Sequence, residues 1–226
     1  MISNLYFCIL SLFYNVILLI NCWKRKDNLK HSIFKLLVLT NFIGIMIGFC
    51  CFFTVLNYEQ IPMINYIVSR LYLVYLLSWI ILFTMYILSI SFDIEYNDAK
   101  YRKIKKIMIF LFIVFALFSF ILPLKFYNKN GSVYSYGQAA NLIYFVSEML
   151  TLVCLVSMFK NFKNFSAKKY SPLFIYIVGG IGVMLIQSMY PELLLMTSME
   201  VFSTYIIYFN IENNNEAVKK LEKEKK

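Results

Sequence analysis

Seven long apolar runs alternate with short polar connectors along this chain of 226 residues. Each run approaches or exceeds the ~20 residues that cross a bilayer core as a helix. The pattern predicts an all-α polytopic membrane protein with seven transmembrane helices in one domain, residues 1–211, followed by a charged linker or tail, residues 212–226. The predicted helices cover approximately residues 2–22, 32–56, 62–92, 107–124, 138–159, 173–190 and 192–211.

Basic residues concentrate in every second connector and in the tail. They lie at 24–30, 100–106, 160–169 and 219–226, whereas the other connectors hold only Lys125 and Lys129. Cytoplasmic loops are enriched in Lys and Arg, so the N-terminus is expected outside and the C-terminus inside a cell (plasma) membrane. The first run has no basic n-region and no small-residue cleavage pattern, which indicates a retained anchor.

The net charge of +10 does not indicate nucleic-acid binding. The charges lie at the ends of predicted helices. There they are explained by the orientation of the chain in the membrane and by attraction to anionic lipids of the inner leaflet. The expected partner of this charge is the lipid bilayer.

Motifs for catalysis are nearly absent. The one histidine, His31, is not part of a metal-ligand motif, and no nucleotide-binding loop or metalloprotease motif occurs. A retinal pigment needs a lysine in its last helix, and residues 192–211 contain none. We therefore expect no enzyme, no metal and no cofactor. No disulfide framework is indicated, because all five cysteines lie in or at the ends of predicted helices.

Two smaller features bear on the fold. The second helix contains Gly44-Ile45-Met46-Ile47-Gly48, a G-x-x-x-G motif that lets a neighbouring helix approach closely. The connector 125–137, rich in Asn, Ser, Gly and Tyr, is typical of turns.

Charged side chains inside the apolar runs are the main candidates for function. Glu148 in the fifth helix and Glu200 in the seventh each lie roughly 10 Å below the outer boundary, at 1.5 Å per residue. Such residues usually face the bundle interior. We expect the two carboxyls to face each other in a ligand- or proton-binding site, with Arg70 and Gln187 above them and Thr197 and Tyr144 beside them. A structural polar contact between helices is the alternative for both glutamates, and snorkelling to headgroups is the alternative for Arg70.

The last helix ends in Tyr208-Phe209-Asn210-Ile211-Glu212-Asn213 and passes into a charged segment. This pattern, over the last 27 residues, resembles the N-terminal multi-helix membrane (sensor) region of bacterial sensor histidine kinases. The resemblance implies a sensory module that passes a signal to a cytoplasmic kinase-type output. The linker has no histidine phosphoacceptor, so this chain should not itself transfer phosphate.

Two further expectations concern the tail and an alternative function. Val218 and Leu221 fit heptad spacing with Ile211, which suggests a helical tail that pairs with a second copy. The alternative to a sensor is a small transporter or substrate-binding membrane subunit with an intramembrane carboxylate site. Transporters often contain internal repeats, and none is evident here.

Overall fold

The computed structural model describes residues 2–23, 28–95, 98–129, 132–160, 167–189 and 195–212. Within them the chain forms seven helices and one β-hairpin, so the predicted number of helices is confirmed. The elements in chain order are α1 (Ile2–Trp23), α2 (Leu29–Leu56), α3 (Pro62–Ser91), α4 (Ala99–Ile121), β1 (Lys125–Lys129), β2 (Ser132–Tyr136), α5 (Gln138–Lys160), α6 (Ala167–Met189) and α7 (Met196–Ile207), which continues as a π-helical turn (Tyr208–Glu212).

Two helices begin much earlier than predicted, and α2 begins slightly earlier, at Leu29. The fourth begins at Ala99 instead of Ile107, and the sixth begins at Ala167, before Pro172. The added residues include several Lys and Arg, which are good helix formers although they are not apolar. An apolar run therefore marks the section of a helix that suits a membrane and not the ends of the helix.

The connector 125–137 is more ordered than its turn-like composition predicted. β1 and β2 pair antiparallel, with Lys125 opposite Tyr136 and Lys129 opposite Ser132. Aromatic and β-branched residues recur along both strands and favour this conformation. Gly137 follows with a φ of +129°, a value that favours glycine, and leads directly into α5. The described part of the chain is thus mostly helical, as predicted, with one small hairpin that the sequence analysis did not foresee.

Five of the described helices, α1 to α5, are long and apolar enough to cross a membrane. In α6 the apolar helical section is shorter, Phe174–Val183, and α7 has 12 residues before its π-helical turn. Large apolar side chains such as Phe13, Phe110 and Leu117 are more than half exposed on the outer faces of their helices. Extensive apolar surface of this kind suits a lipid environment, so the fold is compatible with a multi-pass membrane protein.

The third helix is the centre of the bundle. In its most apolar stretch 83% of the residues are buried, against 11% for α4, which lies at the periphery. α3 packs against α2, α4 and α5, while α7 packs against α1, α2 and α6. We call the end with the β-hairpin the hairpin end, and the end with Cys22, His31 and Glu212 the tail end.

The packed structure reaches the junction between the predicted bundle and the predicted tail. Glu212 is the last residue of the π-helical turn and is buried, so the packed structure extends past the predicted limit at 211. Residues 213–226 lie outside the described residues, and with them the predicted helical tail and its pairing through Val218 and Leu221.

Candidate functional site

The carboxyl of Glu200 lies in the interior of the bundle. Glu200 is only 2% exposed. The hydroxyl of Tyr75 on α3 donates a hydrogen bond to Glu200 Oε2. One turn earlier on α7, Thr197 Oγ1 lies 3.0 Å from the hydroxyl oxygen of Tyr72. The prediction that Glu200 and Thr197 face inward is thus confirmed, and α3 reaches both with long tyrosine side chains.

The second helix completes this side of the site. Asn41 Nδ2 donates to Thr204 Oγ1 over 2.9 Å, and the Thr204 hydroxyl donates to the carbonyl of Glu200 over 2.8 Å. Gly44 makes room for Tyr75, since a Cβ at Gly44 would lie 2.0 Å from the tyrosine ring. The G-x-x-x-G motif therefore has the predicted packing role.

Polar side chains of α1 also enter the interior at this level. Ser11 Oγ donates to Ser198 Oγ over 2.9 Å, and Asn15 Nδ2 donates to the carbonyl of Val38 over 3.2 Å. The side-chain oxygens of Asn15 and Asn41 are buried and have no hydrogen-bond partner among the residues that the structure describes. We call Glu200, Tyr75, Tyr72, Thr197, Thr204 and Asn41 the Glu200 cluster.

The predicted pairing of Glu148 with Glu200 is wrong. Glu148 is exposed on the outside of α5, whereas Glu200 is buried on α7. The helix α5 packs on α3 and α4, and α7 packs on α1, α2 and α6. Equal depth in the sequence places two residues at one level but does not say which way each faces. Tyr144 is likewise 44% exposed on α5 and does not join the Glu200 cluster.

Arg70 has a structural role that neither of its sequence interpretations foresaw. It is 2% exposed, and its guanidinium donates to the carbonyls of Ser119 and Leu122 and to the hydroxyl of Tyr66. These carbonyls lie at the end of α4, where the last helical C=O groups lack partners within the helix and carry partial negative charge. Arg70 caps α4 and makes no ion pair with Glu200. The side chain of Gln187 lies outside the described part of the molecule.

A second buried carboxyl occurs at the tail end. Glu212 Oε2 lies 3.0 Å from His31 Nδ1, and the Tyr86 hydroxyl donates to Glu212 Oε1 over 2.9 Å. His31 Nε2 lies 3.2 Å from the carbonyl oxygen of Cys22. All four residues are at most 7% exposed. This tail-end cluster ties the end of α7 to α1, α2 and α3.

The proton positions in the tail-end cluster follow from its acceptors. A carbonyl oxygen only accepts, so the hydrogen bond to Cys22 places a proton on His31 Nε2. The contact between His31 Nδ1 and Glu212 then needs one further proton between them. The pair is either an imidazolium with a carboxylate or a neutral imidazole with a carboxylic acid, and in both forms each buried group has a partner.

The sequence analysis missed this cluster because its members are far apart in the chain. His31 and Glu212 are separated by 181 positions, and Tyr86 and Glu212 by 126. One signal was available in the spacing. The spacing between Tyr75 and Tyr86 on α3 is almost the same as that between Glu200 and Glu212 near the end of the chain. The two helices also run in the same direction.

The two spacings differ by one residue, and the π-helical turn absorbs the difference. The tyrosines lie eleven positions apart and the glutamates twelve. In an α-helix eleven positions make about three turns plus 20°, and a twelfth adds about 100°. The π-helical turn Tyr208–Glu212 accommodates one extra residue. It thereby turns Glu212 toward the same side as Glu200.

A comparison with known protein families and with characterised proteins finds no match for this chain. The structure itself offers two buried carboxyls on one helix. Each accepts a hydrogen bond from a tyrosine of the central helix, and Glu212 also contacts the histidine.

Proposed function

We propose that this protein is a membrane-embedded sensory module in which α7 passes a signal to a cytoplasmic, kinase-type output. One observation carries the proposal. Helix α7 is held to the central helix near both ends, by Tyr75 at Glu200 and by Tyr86 at Glu212. A stimulus that moves α7 at Glu200 therefore strains the contact at Glu212, directly before the charged segment.

The proposed orientation has seven spans, the hairpin end outside a bacterial plasma membrane and the tail end inside. The support is the excess of Lys and Arg in the connectors of the tail end and in residues 219–226. Cysteines introduced at Ser132 and Ser166 should react with an impermeant thiol reagent from opposite sides, Ser132 from outside. Reaction of both from one side contradicts the orientation.

The π-helical turn supplies a mechanism for transmission. If Tyr208–Glu212 relaxes to α-helix, Glu212 rotates by about 100° relative to the body of α7. That rotation takes its carboxyl away from His31 and Tyr86 and turns whatever follows by the same angle. π-helical segments are frequent at functional sites, in keeping with such a role.

The resemblance of residues 200–226 to sensor histidine kinases supports the same direction of signal. In those proteins the last membrane helix passes into a charged linker that leads to the kinase. A homodimer through Val218 and Leu221 would give this linker a partner. Cysteine crosslinking at Val218 in native membranes should yield a dimer, and its absence would leave the tail as a solvated segment.

The proposal is tested by fusing a histidine-kinase catalytic region after Lys226 and measuring autophosphorylation in membranes. Glu212→Gln and Tyr86→Phe should each shift the basal output, because each weakens the tail-end cluster. Glu148→Gln is the matched control, since it also neutralises a glutamate within an apolar run but on the exposed side of α5. Equal output from all three variants and the parent would count against a sensor.

A transporter remains a second candidate because α3 carries buried polar groups near the hairpin end. Asn65 is fully buried, and neither side-chain amide atom has a hydrogen-bond partner within the described part of the chain. Ser69 lies one turn further along and is also buried. Buried polar residues of this kind can mark an ion path. Vesicles with a pH-sensitive dye inside distinguish the two functions. A steady, Glu200-dependent proton flux under an imposed potential favours transport, and no flux favours sensing.

A further inference from the structure

The charge balance around Glu200 is incomplete. Its described neighbours supply one hydrogen bond, from Tyr75, and no described Lys, Arg or His forms an ion pair with it. Arg70, on the same helix as Tyr75, is held by carbonyls at the end of α4. An isolated acidic group at such a position is costly to ionise, and residues of this kind are usually paired or functional.

The polar groups nearest Glu200 add no positive charge. Among the described residues, the titratable side chains that interact electrostatically with it are Tyr72 and Tyr75 from α3 and Tyr176 from α6. From α2 the cluster receives the amide of Asn41. All are neutral, so the carboxyl must either carry a proton or bind a cation to be stable in this interior.

Two buried amide oxygens at this level have no hydrogen-bond donor among the described residues. Asn41 is fully buried, its nitrogen binds Thr204 within the Glu200 cluster, and its oxygen has no partner. The side-chain oxygen of Asn15 on α1 is also buried and has no hydrogen-bond partner among the described residues. Buried acceptors are nearly always satisfied. At this level a proton or a small cation would give the carboxyl of Glu200 and the oxygen of Asn41 the positive partner that the described side chains do not supply.

A line of polar side chains leads from the hairpin end toward this site. Asn65, Ser69 and Tyr72 follow each other at intervals of four and three residues on α3, which places them on one face. All three are at least partly buried, and Tyr72 contacts Thr197, one turn from Glu200. The outermost residue of this line is Asn65, whose side-chain amide has no hydrogen-bond partner among the described residues.

We propose that Glu200 binds one monovalent cation, H⁺ or Na⁺, which arrives from the hairpin end along Asn65, Ser69 and Tyr72. The cation neutralises the carboxyl and changes how firmly α7 is held at Tyr75. This identifies the class of stimulus for the proposed sensor, and its physiological meaning rests on that function. Binding itself does not, because it can be measured without any output.

The test uses infrared difference spectroscopy on the full chain in lipid vesicles. The C=O stretch of a protonated carboxyl is recorded through an acid-to-alkaline series with choline as the only other cation. We expect a band that appears on acidification in the parent and in Glu148→Gln and is lost in Glu200→Gln. In Tyr75→Phe, which keeps the carboxyl, the band should shift in frequency because the hydroxyl no longer donates to it.

A Na⁺ titration at fixed pH separates the two cations. If Na⁺ removes the Glu200 band, both ions compete for the site, and if Na⁺ has no effect the ligand is the proton. A band that persists at every pH and Na⁺ concentration, or no Glu200-dependent band together with no Na⁺ effect, overturns the proposal. Titration of Glu200 with no change in a fused kinase would leave the cation site standing and would count against the sensor.

Discussion

Removing one hydroxyl from the tail-end cluster should loosen the end of α7. Tyr86→Phe deletes the donor that lies 2.9 Å from Glu212 Oε1 and leaves the fully buried ring in place. The contact of Glu212 with His31 remains. The substitution thus reports on a single hydrogen bond to a buried carboxyl.

The size of the effect follows from the burial of both partners. A buried acceptor that is left without its donor costs about 1–3 kcal/mol, and this holds for either protonation form of the His31–Glu212 pair. At 1.4 kcal/mol per factor of ten, opening of the cluster should become about 10- to 100-fold more frequent. Regions that open locally do so without global unfolding, so the remainder of the bundle should keep its stability.

Cys22 provides a natural probe of this opening. It is 1% exposed, is not in a disulfide, and its carbonyl accepts the hydrogen bond from His31. Its alkylation rate is measured in vesicles after the other four cysteines, which are Cys8, Cys50, Cys51 and Cys154, are replaced by Ala. Tyr144→Phe is the control, because Tyr144 is 44% exposed on α5.

In this assay Tyr86→Phe should raise the rate of Cys22 alkylation about 10- to 100-fold, and Tyr144→Phe should leave it unchanged. Equal rates in Tyr86→Phe and the parent would refute the reasoning. Equal acceleration by both substitutions would show general loosening of the bundle and would refute it as well. A double substitution with Glu212→Gln should add little to Tyr86→Phe, since contacting residues are not additive.

Three further predictions concern other parts of the bundle. Gly44→Ala should destabilise the protein by about 1–3 kcal/mol in thermal melts, because the added Cβ would overpack against Tyr75. Gly48→Ala is the control and should be nearly neutral, because its Cβ would lie 3.6 Å from Cys8 Sγ, an ordinary contact distance. Deletion of Phe209 from the π-helical turn should be tolerated, because a plain α-helix with eleven positions between the two glutamates still brings Glu212 to the tail-end cluster. Alkylation of Cys22 should therefore stay slow in this variant. Arg70→Lys should lower the melting temperature by about 2–4 °C for each kcal/mol lost, because an ammonium cannot reproduce the guanidinium's contacts with two carbonyls.

The number of helices and their approximate limits follow from the sequence because a long apolar run has few other stable forms in a membrane. The inward orientation of Glu200 also follows, since Thr197 and Thr204 share its face. Glu148 also has hydroxyl side chains near it on its own helix, those of Ser147 and Thr151, and yet it is exposed. The difference lies in the neighbours, because α3 provides Tyr75 for Glu200, while Glu148 lies on the exposed side of α5.

The tail-end cluster could not be predicted from local patterns. His31 lies at the beginning of α2, where the side chain of Asn28 accepts from its backbone N–H, and the local sequence gives no sign of a distant carboxyl partner. Its partner lies at the end of α7, and the π-helical turn that directs Glu212 inward has no sequence signature. Contacts of such long separation depend on how the helices pack.

Alkylation of Cys22 in the Glu200→Gln variant measures directly whether α7 couples its two ends. The two carboxyls lie about 18 Å apart along the helix, at 1.5 Å per residue. Coupling free energies of this type are about 1–3 kcal/mol, so the rate should change by about 5- to 150-fold, while Glu148→Gln keeps the parental rate. An unchanged Cys22 rate in Glu200→Gln, with the protein folded and inserted, would contradict transmission through α7.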